Sequence, residues 1–463
     1  MSMPPRATAS IHAPFILTSV ALAVFGGFAL AIELPLLAAL GIVHPGWVAH
    51  AQVHGHLQTI GFVGLFIVGV AYHLVPGFSG RGVLPYPRLV TPSLWLIAGG
   101  VLARAAGQLG APSPAFAFLT AGGAWAEAAG AACAAANIVP AMWPASRRGD
   151  PTAPFFIAGA TWFVVQALLG GWWLSAMALR GDAVLPTAQN GPLTLMQFFG
   201  FHLMFILGVG ARSFPVFFAV RRLTFKRMAA PLVAMQVGLV ASIGRPLAVD
   251  AEAGAMAFLD SAGLLLLGAG VLWISALLGW WRRPQRVRPL SRPFAMTLQL
   301  ALGWLTIAGF LAVGEATRAL AAGGPPAWLV LDSIRHVLGV GVILTMMIAM
   351  AQLILPEFAS ERFSGRQATW RGAALGAVLA IATLFRAGAR LLGGRLPDPV
   401  VDWSTAFSGA LALGVVIVFA LLFIRSVRRH RALLVRFAAR AASGEAWTLH
   451  DATPSPRTPP EPQ

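Results

Sequence analysis

Apolar residues along this chain neither alternate nor recur as a narrow stripe. They run on for about 20 to 30 positions at a time, and short loops marked by Pro, Gly and Arg separate the runs. A helix that is apolar all round is buried or sits in lipid, and about 20 such residues match the hydrocarbon thickness of a bilayer. The pattern predicts about twelve spans, with approximate limits 14–40, 47–76, 90–110, 114–143, 152–180, 192–220, 228–249, 254–281, 293–322, 326–356, 367–393 and 400–425. The expected fold class is therefore all-α: a polytopic membrane bundle forming a single transmembrane domain over residues 1–430. The first apolar run, Ile11 to Leu40, is too long for the core of a signal peptide and is expected to remain as the first helix. Residues 431–463 turn basic and then rich in Pro and Ser, and are expected to form a disordered tail.

The connections alternate in charge. Arg81 and Arg88 follow span two, and Arg147 and Arg148 follow span four. Arg221, Arg222, Lys226 and Arg227 follow span six, Arg282 to Arg292 span eight, and Arg362 and Arg366 span ten. The intervening connections, such as GIVHPG and QLGAPSP, are nearly free of Lys and Arg. The positive-inside rule then predicts that the even loops and both termini are cytoplasmic. The net charge of +17 belongs to these loops, with no soluble aromatic-interleaved domain to carry it, so a nucleic-acid partner is excluded. Composition agrees with the membrane class: 57% of residues are hydrophobic, 11% are charged, and mean hydropathy is +0.75. The 50 Gly and 33 Pro suit closely packed membrane helices. The single cysteine, Cys133, excludes an intramolecular disulfide and a Cys-paired metal site.

Ionisable residues are costly inside a bilayer and mark sites or pathways. Span two carries His50, His54 and His56, span six His202 and span ten His336. At 1.5 Å per residue, His54 and His56 lie roughly 10–14 Å below the outer end of their span, and His202 and His336 about 15 Å below theirs. These three spans run in the same direction, so their histidines are expected to meet in one layer of the outer leaflet. His50 and His54 share a helix face, whereas His56 points about 200° away from His54, an arrangement that fits two metal sites flanking one helix. His73 lies about 28 Å from His54 on the same helix and belongs to the opposite interface. The bland alternative for each histidine is a hydrogen-bonded packing or pore-lining residue. Imidazoles from two helices also make a good axial pair for haem iron.

Other buried charges collect in the same outer third: Glu33, Arg104, Arg245, Glu315, Arg318, Asp332, Arg335, Arg386 and Arg390. Arg is suited to gripping the two propionates of a haem. Arg335, adjacent to His336, is the first candidate partner, followed by Arg245 and Arg386; for Arg318 and Arg390 snorkelling to the interface is the plainer reading. Arg212, near the inner end of span six, is either a buried hydrogen-bond anchor or an inward snorkel. Met196, Met204, Met346, Met347 and Met350 lie near these segments, and methionines there are gap fillers more often than copper ligands.

Three segments resemble signatures of one family. HGHLQTIGF in span two, GARSFPVFF in span six, and RHVLGVGVILTMM with the following SERFSGR in and after span ten are similar to motifs of the NnrS family. Its members are haem- and copper-containing bacterial membrane proteins tied to nitric oxide metabolism and nitrosative stress. The matching residues are His54, His56, Gly61 and Phe62; Arg212, Pro215, Phe217 and Phe218; and His336, Gly341, Met346, Ser364, Gly365 and Arg366. The chain departs from the family pattern at Leu57, where a Glu would follow the second His, and it lacks an Arg late in the third motif. Span two also resembles helix two of haem–copper oxidase subunit I, where histidines of helices two and ten hold a low-spin haem. That likeness stops at span seven, which has no His pair for copper, and at the tyrosines: Tyr72 and Tyr86 both fall near the cytoplasmic side.

The resemblance implies a protein of the bacterial inner membrane that binds b-type haem and copper and acts on, or responds to, nitric oxide, with a redox partner. His54 or His56 with His336 would be the haem ligands. His202 with the remaining member of the HxH, and His50 beside them, would be the other metal positions. If the protein is an enzyme, the expectation is redox chemistry on nitric oxide. The alternatives are a divergent oxidase-like electron carrier, a haem-free twelve-helix transporter, and a sensor or assembly factor.

Overall fold

The computed structural model describes residues 10–42, 44–111, 113–218, 223–247, 253–281, 292–355 and 366–443. They form twelve long helices: α1 His12–Ala39, α2 Trp47–Ser79, α3 Pro87–Gly110, α4 Pro114–Arg147, α5 Ala153–Leu179, α6 Thr187–Pro215, α7 Phe225–Leu247, α8 Ala253–Leu278, α9 Arg292–Ala322, α10 Trp328–Ile354, α11 Trp370–Leu391 and α12 Asp398–Ser443. Each predicted span overlaps one helix, and the protein is an all-α, multi-pass bundle. Eleven of the twelve are long and apolar enough to cross a membrane. The exception is α4, the fourth expected span. Ala and Gly dominate it, and Glu127, Asn137 and two internal prolines lower its hydropathy further, yet it packs firmly between α3 and α5.

One expected boundary moves. The last helix does not stop near residue 430 but continues to Ser443, because RALLVRFAARAAS is made of strong helix formers. The Pro-rich stretch 444–463 lies outside the described residues.

Neighbours in sequence are mostly neighbours in space: α3 packs on α4, α4 on α5, α7 on α8 and α8 on α9, while α12 returns to close against α1. Small residues set the closest approaches. A Cβ at Gly100 of α3 would lie 2.6 Å from the Gly123 carbonyl oxygen of α4, and one at Gly123 would lie 2.5 Å from the Arg104 amide. No side chain fits between these backbones, so Arg104 and Glu127, one turn further along their helices, are forced together.

The helices that carry the histidines depart from α geometry where they meet. π-helical turns occupy Leu57–Gly64 of α2, Met196–His202 of α6 and Val337–Leu344 of α10, and these three segments touch one another. Two more lie at Ala23–Gly27 of α1 and Leu384–Gly388 of α11. π turns are rare and tend to mark functional positions.

Candidate functional site

His54 and His336 are built alike. The Nδ1 of His54 is 2.7 Å from the Gly27 carbonyl of α1, and the Nδ1 of His336 is 2.8 Å from the Asp332 carbonyl one turn back on α10. A carbonyl only accepts, so in both rings Nδ1–H donates and the proton is fixed there. Each Nε2 is left with a lone pair. This is the tautomer and orientation of a metal-binding imidazole whose far nitrogen is held by a backbone carbonyl. His54, His336, Asp332 and Arg386 stand within electrostatic range of one another, so α2, α10 and α11 share one site here.

Space exists beside these rings. His54, Gly55 and Gln58 of α2, and Asp332, Arg335, His336 and Gly339 of α10, are surrounded by protein yet each is partly accessible. The combination describes an interior slot rather than a lipid-facing surface. At Gly55 a Cβ would meet no atom within 4 Å.

Positive charge lines one end of the slot. Arg386 Nη1 is 2.9 Å from Asp332 Oδ2, Arg390 Nε is 4.0 Å from the same oxygen, and His336 Nδ1 is 3.4 Å from Oδ1. Arg335 lies over the Trp328 ring, 4.8 Å from its centroid, and its Nε has no hydrogen-bond partner. Three guanidinium charges around one carboxylate leave two positive charges in excess. Asp402 of α12 is also within range of Arg390; counting it, one still remains. Burial of uncompensated charge is costly, and this end of the slot suits an anion.

His56 has a different setting. Arg104 Nη1 donates to its Nδ1 at 2.8 Å, so its Nε2 carries the proton and donates to Glu127 Oε2 at 2.6 Å. Glu127 Oε1 accepts from Gln166, Gln166 Oε1 from Gln197, and Gln197 Oε1 from Thr59. At the other end Arg104 donates to Gln108, which reaches Gln52 and the Ala183 carbonyl; Gln52 in turn bonds both the amide and the carbonyl of Leu185. Both ring nitrogens of His56 are engaged, and the Arg104–Glu127 charges cancel. The expectation that His56 serves as a haem or metal ligand is therefore corrected: the 200° turn that separates it from His54 delivers it to a carboxylate and a guanidinium. Glu127 escaped the sequence reading, although a lone acid in the Ala/Gly run GGAWAEAAGAA was its signal.

His202 is fully buried, and neither ring nitrogen makes a hydrogen bond. Its neighbours are Phe198 and Phe201, with ring centroids at 5.8 and 4.9 Å, and the Thr59 backbone lies nearby. His50 stands one turn above His54, donates Nδ1–H to the Gly46 carbonyl at 2.9 Å, and packs edge-on against His44 at 4.3 Å. Among the described residues no three His, Cys, Asp or Glu side chains come close enough to hold a metal ion together. His202 and His56 therefore do not complete a copper site with each other.

The remaining expectations resolve as follows. Arg212 is half exposed and lies far from the slot: it covers the Phe78 ring at 4.6 Å and approaches Asp150 at 3.9 Å, tying α6 to the end of α2 and the α4–α5 connection. Its placement as a propionate or ligand anchor is overturned, because it lies ten residues, about 15 Å, beyond His202 along α6. The side chain of Arg245 lies outside the described residues. Glu315 accepts from Arg318 and from the Ala327 amide, so this pair caps the start of α10. His73 pairs with His12 at the far end of the bundle, with ring centroids 4.8 Å apart. The Met204 sulfur accepts a hydrogen bond from Gln236.

No family model matches this chain, and no curated protein matches it.

Proposed function

We propose that this protein is a haem-binding redox protein of the bacterial inner membrane that acts in nitric oxide metabolism or the response to nitrosative stress. The observation that carries the haem is the pair His54 and His336. Each has Nδ1 fixed on a backbone carbonyl and Nε2 free, and both stand in one electrostatic neighbourhood beside an interior slot. A b-type haem also brings two carboxylates, and the uncompensated Arg335, Arg386 and Arg390 fit them. Open space at Gly55 and the unpartnered Arg335 Nε support the same group. When bound, such a haem supplies a one-electron couple.

The chain's own residues have definite tasks in this reading. Gly27 and Asp332 hold the two imidazoles in the ligating tautomer. Asp332 also orients Arg386, and Trp328 supports Arg335. Two axial imidazoles leave no open position for a gas, so this site suits electron transfer with a redox partner, and the gaseous ligand belongs elsewhere. His202, buried and unpartnered, is the place for it. Copper lacks a donor set here, and no role is derived through it. The link to nitric oxide rests on the three NnrS-like motifs. The pattern of arginines in the loops supports cytoplasmic termini.

The test is the visible spectrum of the purified protein, oxidised and reduced. A Soret band with the sharp α and β bands of a six-coordinate low-spin haem is expected on reduction. A colourless protein, from cells supplied with iron and haem precursors, overturns the proposal.

A further inference from the structure

Beneath the three π segments, toward the end of the bundle that carries Arg212, helices α2, α5, α6 and α10 enclose a chamber of about 70 Å³. Every side chain lining it is apolar, among them Phe66, Val70, Phe205, Val209, Met346 and Met350. Water requires two to four polar partners in a cavity, and cavities without them stay dry and take up xenon or benzene instead. A molecule in the liquid occupies about 30 Å³ per water-sized unit, so the chamber has room for a few heavy atoms but not for a quinone or a haem. One wall leads to the unpartnered histidine. Phe205 packs edge-on against Phe201 at 5.6 Å, and Phe201 lies 4.9 Å from the His202 ring.

We propose that this chamber is a binding site for a small uncharged apolar molecule of diatomic-gas size, held one aromatic ring away from His202. Apolar solutes leave water for such surroundings, and a chamber inside a bilayer draws on solute already concentrated in lipid. That the occupant is a gas the protein uses rests on the function proposed above; that the chamber takes a molecule of this class does not.

Xenon is the probe. The full chain, labelled with 13C at its methionine methyls and placed in lipid nanodiscs, is equilibrated with xenon at rising pressure. The Met346, Met347 and Met350 signals are expected to shift saturably, while those of Met142 and Met177, buried elsewhere in α4 and α5, stay in place. Val209→Trp and, separately, Ala71→Phe fill the space and are expected to remove the shift. An unshifted wild-type spectrum overturns the proposal, as does a shift that survives both substitutions. A lipid spin-labelled at the chain end that broadens these methyls more than that of the exposed Met296 overturns it as well, by making an acyl chain the occupant. None of these readouts needs haem. A colourless protein that binds xenon sinks the haem reading alone, and a haem-loaded protein indifferent to xenon sinks this one alone.

Discussion

Helix α2 carries two imidazoles two residues apart, and they live under opposite conditions. On one face His56 is buried in a network in which both ring nitrogens are used and the charges of Arg104 and Glu127 cancel. On the other, His54 has one nitrogen used and one idle, beside an opening and a surplus of arginine charge. A buried polar group with all its partners holds a fold together. A group whose partners are missing, in a place where that is costly, implies a partner from outside the chain. The two faces thus separate scaffold from site without reference to any relative.

The sharpest break of this comparison exchanges the roles of the two faces. His54→Ala and His336→Ala are each expected to abolish the low-spin haem spectrum, with recovery on addition of free imidazole, which occupies the vacated position. His56→Ala is expected to keep the spectrum of whatever protein folds. Loss of haem in His56→Ala at wild-type thermal stability, with retention in His54→Ala, would invert the assignment.

The next effect is on stability. Glu127→Ala leaves a buried guanidinium without its counter-ion, and breaking such a pair costs about 3–5 kcal/mol. Thermal unfolding in nanodiscs should show it as a large drop in Tm. Replacing Arg104, His56 and Glu127 together by Met, Phe and Leu removes the charges as a set and is expected to restore most of the loss, since apolar replacement of a whole buried ionic group is often neutral. A triple variant as unstable as Glu127→Ala would mean that the network does more than satisfy itself.

The two faces also differ in how far the chain announces them. Uniform apolar runs gave every helix, because length and hydropathy alone decide what spans a bilayer. Depth counting along α2, α6 and α10 brought the right histidines to one layer, and adjacency made Arg335 a partner of His336. What escaped was rotation about the helix axis. The sequence offers 200° between His54 and His56 but not which neighbour waits at each angle. Glu127, on a helix whose Ala and Gly composition hides it, decides the fate of His56, and the Gly27 carbonyl, invisible in any motif, decides the tautomer of His54. Arg212 sat inside a recognisable motif and misled for the same reason: membership of a motif says nothing about depth, and it lies about three helical turns from the histidine layer.

The smallest expected effect compares two arginines. Arg386 presses on Asp332 inside the slot, and Arg212 crosses a half-exposed surface between Phe78 and Asp150. Removing a group that orients metal ligands typically weakens retention about 10- to 100-fold, so Arg386→Gln should lower haem affinity by that factor, measured by transfer of haem to apomyoglobin. Arg212→Gln breaks an exposed contact, and such pairs contribute about 0–1 kcal/mol. It should leave haem transfer at the wild-type rate and shift Tm only slightly. The pairing matters because both residues are arginines in membrane helices, and composition alone cannot rank them. If Arg212→Gln releases haem as readily as Arg386→Gln, the site reaches the far end of the bundle, and the division of α2 into a scaffold face and a site face no longer describes this protein.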